Sequence, residues 1–252
     1  MTSKFGKTLL VAALVLYFLF VVVANIPARL LASIVHKQVP VVWLNSVEGT
    51  IWNGRAAASQ IDVKPVAIPL GKISWELNPW SLLALNPCVK FETSQKGQNI
   101  SGTLCHGVGG RSSVENVAVD SSMAIISGLV GTDLKGRGSL EVQSAEFTQS
   151  QIKKLSASLT WQNSRIFVID EWLALGSYVA KFRENENGGV TAEVFNMEAP
   201  LTLKMTADWT AKQGWGADGT VQPGPGTPEK IVEGLKAFGE EIEPGNYKFT
   251  WR

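Results

Sequence analysis

The stretch CVKFETSQKGQNISGTLC, residues 88–105, decides the fold. It reads as a hairpin that turns at Lys96-Gly97. Pairing symmetrically about that turn sets Val89 opposite Leu104, Phe91 opposite Gly102 and Thr93 opposite Ile100, which makes one apolar face. Lys90, Glu92 and Ser94 share the other face with Asn99, Ser101 and Thr103. An antiparallel sheet covered on one side has this alternation. The same register brings Cys88 opposite Cys105. Directly opposed residues have Cα atoms about 4.5 to 5.5 Å apart, within disulfide reach. Two unrelated thiols, one free and buried, are the alternative, but the symmetry favours the bridge. A disulfide would put the domain in an oxidising, periplasm-like compartment.

Period-two alternation extends outward from the hairpin. Ile73, Trp75 and Leu77 alternate with Lys72, Ser74 and Glu76. Leu155 to Trp161, Leu201 to Trp209 and Tyr247 to Trp251 behave the same way, separated by turn clusters at 184–189, 196–200 and 211–214. The expected fold is therefore mainly β: a curved antiparallel sheet of a dozen or more strands, half-barrel or groove-like, with a few short helices. Trp75, Trp161, Trp209 and Trp251 are the candidate apolar-face residues. Their uneven spacing gives no solenoid period. Gly49 precedes Trp75 much as Gly136 precedes Trp161, a similarity that either a diverged duplication or chance among β-meanders produces. Near the C-terminus, Thr227-Pro228 reads as an N-cap followed by a first-turn proline. Ile231, Val232, Leu235 and Phe238 then form one helical stripe, with Gly239 as the stop. Asn78 to Leu83 and Met123 to Leu129 are candidate short helices.

Upstream of the sheet the pattern changes. Thr8 to Ala28 carries no charged residue. As a helix it would reach about 31 Å, matching a hydrocarbon core of about 30 Å. A cleaved signal peptide is the alternative, and the basic start at Lys4 and Lys7 suits it too. The length of the apolar run and its incomplete cleavage pattern favour an uncleaved anchor. The expected organisation is a cytoplasmic stub (1–7), a transmembrane helix (8–28), a juxtamembrane segment (29–39) and a periplasmic β-rich domain (40–252). Lys4 and Lys7 before the span nearly balance Arg29 and Lys37 after it, so orientation rests mainly on the cysteines.

Composition excludes several function classes. The 252 residues carry 23 basic and 22 acidic side chains, a net +1, which gives no basic field for nucleic acid. The stub accounts for two of the lysines, and the remaining 21 basic and 22 acidic residues leave the domain close to neutral. Two Cys and two His cannot build a Cys₄-type zinc site. Gly214-Trp215-Gly216-Ala217-Asp218-Gly219 has the letters of a dinucleotide fingerprint, but it lies between strands and reads as a hairpin turn, with no helix N-terminus for a pyrophosphate. His106 beside Cys105 would need a free thiolate to act in catalysis. Asp170 and Glu171 read as a solvated turn. Asn99-Ile100-Ser101 is a glycosylation sequon by letters only. The residues thus supply no catalytic group, no metal site and no cofactor site.

Two blocks carry a family resemblance. VEGTIWNGRA at 47–56, soon after a single span, resembles type II secretion system protein N, and WELNPWSLL at 75–83 is similar to that family's next block. The end, Leu235 to Gly239 followed by Pro244-Gly245-Asn246-Tyr247, fits as well. The resemblance implies a single-pass inner-membrane accessory component, N-terminus in the cytoplasm, serving export of folded proteins from the periplasm across the outer membrane. It implies no enzyme activity, and it implies contacts with the platform proteins C, L and M. An AsmA-like β-groove that shields lipid or another apolar ligand is the alternative.

Overall fold

A computed structural model describes residues 2–148, 151–168 and 170–251. Two helices lead: α1, Thr2–Ala24, and α2, Ala28–Gln38. Pro27 separates them, because its ring removes the N–H that would continue the ladder. The helix thus ends four residues before the end of the apolar stretch. Asn25 closes it, its side-chain amide donating to the Val21 carbonyl at 2.7 Å.

Fourteen strands follow in one open antiparallel sheet: β1 (Val42–Gly49), β2 (Asn53–Val63), β3 (Val66–Leu77), β4 (Cys88–Gln95), β5 (Gln98–Gly107), β6 (Arg111–Ser122), β7 (Leu134–Phe147), β8 (Ile152–Val168), β9 (Glu171–Glu184), β10 (Val190–Asn196), β11 (Leu201–Thr210), β12 (Gly214–Pro223), β13 (Glu240–Glu243) and β14 (Asn246–Trp251). Each strand pairs with its sequence neighbour until the end, where β14 inserts between β12 and β13. Three short helices interrupt the meander: α3 (Pro79–Leu83), α4 (Ser127–Val130, preceded by a 3₁₀ turn at Met123–Ile126) and α5 (Glu229–Phe238). The expected antiparallel meander, its single N-terminal apolar helix and its C-terminal helix are all present.

The founding hairpin has the register read from its sequence. Val89 pairs with Leu104, Phe91 with Gly102 and Thr93 with Ile100, and Cys88 is disulfide-bonded to Cys105. Three local readings are corrected. Thr227 does not cap α5, because its hydroxyl is committed elsewhere: it donates to the Pro200 and Gly224 carbonyls and accepts from the Gly224 N–H. Pro228 is the N-cap, and its carbonyl accepts from the Ile231 and Val232 amides. The dinucleotide-like run is not a turn, for the hairpin bends at 211–213 and Gly214 already begins β12. The Gly49/Trp75 and Gly136/Trp161 pairs are not equivalent either. Gly49 ends β1 and Trp75 lies two strands on, whereas Gly136 and Trp161 are on adjacent strands.

A different recurrence does exist. Ser59 Oγ donates to the Gly71 carbonyl at 2.8 Å, and Ser164 Oγ donates to the Gly176 carbonyl at 2.7 Å. Both serines are buried, both sit at bulges, and both acceptor glycines have positive φ. The two devices share one register pattern, three residues of one strand opposite two of the next, the kind of bulge that kinks a strand and increases its twist.

Candidate functional site

The sheet register places one residue from each of thirteen strands in an unbroken row. Val47, Ala56, Ile73, Thr93, Ile100, Val119, Leu140, Leu159, Ala180, Val194, Met205, Gly219 and Phe249 are successive cross-strand partners. At about 4.8 Å per strand the row runs on the order of 58 Å. Thr93 is its one hydroxyl, and that oxygen is buried as the acceptor of the Ile100 N–H at 3.0 Å. The next row lies on the opposite face, because successive side chains alternate. It runs Glu48, Arg55, Ser74, Glu92, Ser101, Ala118, Glu141, Ser158, Lys181, Glu193, Thr206, Asp218 and Thr250. The sheet is therefore amphipathic across its width.

Helices cover the two ends of the apolar face. At the β1 end, Ala28 and Leu31 of α2 pack with Leu44, Val47, Ala56, Ile73, Trp75 and Phe91. Trp75 is 6% exposed there, and its indole N–H has no hydrogen-bond partner among the described residues. Gly54 makes room for it, since a Cβ at that position would meet the Trp75 ring. Toward the other end α5 lies over an apolar cleft of about 460 Å³, lined by Leu159, Trp161, Tyr178, Leu203, Ile231 and Leu235 among others. That volume falls within the range of small-ligand pockets. Burial pushes the Tyr178 phenol up to about 12, and its hydroxyl donates to the Leu175 carbonyl at 2.7 Å. Between α2 and α5 the row residues of β5 to β7, Ile100, Val119 and Leu140, are half-buried.

The four candidate tryptophans thus occupy four settings. Trp75 is sealed in the α2 core. Trp161 lines the α5 cleft, with its indole donating to the Lys135 carbonyl at 3.0 Å. Trp209 packs beside Trp215 at 6.4 Å between ring centroids, and Trp251 closes β14, largely exposed. They do not form one cluster. What the tryptophans did not reveal is the row itself, which consists mostly of Val, Ile, Leu and Ala.

The polar candidates are each absorbed locally. His106 Nδ1 lies 2.8 Å from Ser112 Oγ, its cross-strand neighbour. His36 packs against Trp43, the two rings tilted at 49° with centroids 4.3 Å apart. Glu171 pairs with Lys230 at 2.7 Å, tying β9 to α5. Among the described residues no three His, Cys, Asp or Glu gather in a metal-binding group.

A family model for type II secretion system (T2SS), protein N, matches residues 40–250. The chain belongs to the type II secretion system protein N family. The type II secretion system protein N of Aeromonas hydrophila is 24% identical over 255 residues, covering 98% of each chain. That of Vibrio cholerae serotype O1 is 24% identical over 252 residues, covering 93% of this chain and 95% of the relative. No solved structure matches at a comparable level. The two blocks that carry the protein N resemblance are neighbours in space. The Leu77 N–H donates to the Trp52 carbonyl at 2.8 Å, joining WELNPWSLL to VEGTIWNG. The first block also holds the end of α1: Trp52 Nε1 donates to the Val23 carbonyl at 2.8 Å, and the Ile51 N–H donates to the Ile26 carbonyl at 2.9 Å. In this chain the sequence signature fixes where the apolar helix meets the sheet.

Proposed function

We propose that the chain is a non-enzymatic, single-pass inner-membrane accessory component of the type II secretion system. Its sheet stands in the periplasm and its N-terminus in the cytoplasm. It serves export of folded proteins across the outer membrane through contacts with the platform proteins C, L and M. The observation that carries this reading is the family match over nearly the whole sheet domain. Two features support it. Lys7–Ala24 has a mean hydropathy of 2.5 and is unburied, as a membrane helix requires. The Cys88–Cys105 bridge suits an oxidising compartment. Anchoring confines the sheet to a layer beside other anchored proteins, so weak contacts suffice. Deleting the gene should trap exoproteins in the periplasm, and the tagged full-length chain should co-purify with C, L or M. Normal secretion together with no co-purified platform protein would overturn the reading.

A second reading is favoured by one observation, the unbroken apolar row. A face that wide and that apolar is suited to shielding lipid or another apolar ligand. A photoactivatable residue at Leu140, on the row, should capture lipid in cells, and the same probe at Glu141, on the polar face, should not. Equal capture at both positions, or none at Leu140, excludes this reading and leaves the first untouched.

A further inference from the structure

We propose that the sheet end nearest α1 is itself a membrane-contact surface, with the α3 corner and the β5–β6 turn seated in the interfacial layer of the bilayer that α1 spans. The proposal rests on the anchor reading above and adds a second point of membrane contact.

Topology puts these segments at one level. In a meander, the turns after β1, β3 and β5 all fall on the same end of the sheet. A chain of hydrogen bonds ties them to α1. The Trp52 indole holds the Val23 carbonyl, and the Trp52 carbonyl holds the Leu77 N–H at the end of β3. The α3 corner follows directly, and the Val108 N–H in the next turn donates to the Leu85 carbonyl at 3.1 Å. By strand spacing the corner lies about 10 Å, and the turn about 20 Å, from β1.

Four side chains at this level are apolar and uncovered. Trp80 and Leu83 are each 76% exposed, Leu85 is 64% exposed and Val108 77%. Several adjacent exposed apolar side chains mark an interaction surface. The backbone beneath them is fixed. Asn78 Oδ1 accepts the Trp80 N–H at 3.0 Å, and Ser81 Oγ accepts the Cys88 N–H at 2.8 Å beside the disulfide. Leu85 is held at φ 54, left-handed backbone that a branched side chain adopts only under constraint. The fold thus spends local strain to present leucine outward.

The occupant follows from continuity with the anchor. A segment bonded to the end of a membrane helix, and displaced from it by only a few strand widths, sits at the height of the headgroups. Tryptophan with neighbouring aliphatic side chains is the composition that layer favours.

The test uses the full-length chain in vesicles of phosphatidylethanolamine and phosphatidylglycerol. Nitroxide labels are placed at Leu83→Cys and Val108→Cys, sites exposed enough to leave folding intact, while the native cysteines stay protected in their disulfide. Leu16→Cys in α1 and Val130→Cys at the opposite sheet end are the references. Both rim labels should show an oxygen-to-nickel-chelate accessibility ratio at least about threefold above that of Val130→Cys, as expected within about 5 to 10 Å of the acyl boundary. Rim ratios equal to the Val130→Cys ratio, with Leu16→Cys still in lipid, overturn the proposal and leave the anchor standing. A water-exposed Leu16→Cys label overturns both. Rim labels that are shielded from lipid in native membranes identify the patch as a protein interface and also overturn it.

Discussion

Single residues already show how tightly the β1 end is built. A methyl added at Gly54 would lie 2.7 Å from Cε2 of Trp75, which is buried against Ala28 and Ala56 and cannot retreat. Gly54→Ala should therefore destabilise the protein by about 1 to 3 kcal/mol, the usual cost of overpacking, seen as a lower melting temperature of the purified chain. Tyr178 gives a pH signature. Its folded pKa is raised, so the native state holds that proton more tightly than the unfolded chain does. Stability is then lost as pH rises from the ordinary phenol value of 10.0 toward about 12. An alkaline absorbance titration should show a tyrosine step near about 12, and Tyr178→Phe should remove that step. The cysteine bridge was legible because hairpin symmetry alone sets the two residues opposite. Ser59 and Ser164 were not legible. A serine in an alternating strand looks like any solvent-facing residue, and only the bulge turns it inward onto a glycine carbonyl.

Elements were legible in proportion to their periodicity. The stripe of α5 announced itself, yet its cap did not, because Thr227 turns back to the linker and Pro200 rather than forward to the helix. The short strand Glu240–Glu243 was hidden for a different reason. Three of its four residues are glutamates, so no alternation of apolar and polar residues marks it as a strand. In the structure they line the sheet edge: β13 pairs with β14 on one side, and among the described residues no strand pairs with it on the other. All four of its residues are exposed. Charge on an open edge opposes strand addition. Replacing Glu240, Glu241 and Glu243 with threonine should turn that edge into a pairing surface. The purified variant should then elute as dimers or larger species in size-exclusion chromatography where the natural chain does not. A monomeric triple variant would mean that the edge is guarded by something other than its charge.

At the scale of the whole molecule the alternation of each strand was legible, but the alignment of fourteen alternations was not. Register depends on turn lengths and bulges. A one-residue slip at any strand would send its apolar set to the wrong face. The positive-φ residues Asn116 and Asn163 fall inside strands where such shifts occur, and the row survives on both sides of them. An unbroken row thirteen strands wide is more than a core needs, for α2 and α5 cover only its two ends. The open middle therefore separates the two readings of function. Leu140→Lys places an ammonium among Val119, Leu159 and Val142, neighbours with no carboxylate to meet it. If the middle of the row holds an apolar ligand, that charge should cut lipid capture by a probe at Val119 tenfold or more, since each tenfold needs only about 1.4 kcal/mol. Expression and disulfide formation should be unchanged, because Leu140 is only half-buried. Glu141→Lys, one residue away on the polar face, should leave capture as it was. If both variants secrete normally and capture lipid equally, the row is a structural face only, and the work of the molecule lies at its contacts with other proteins.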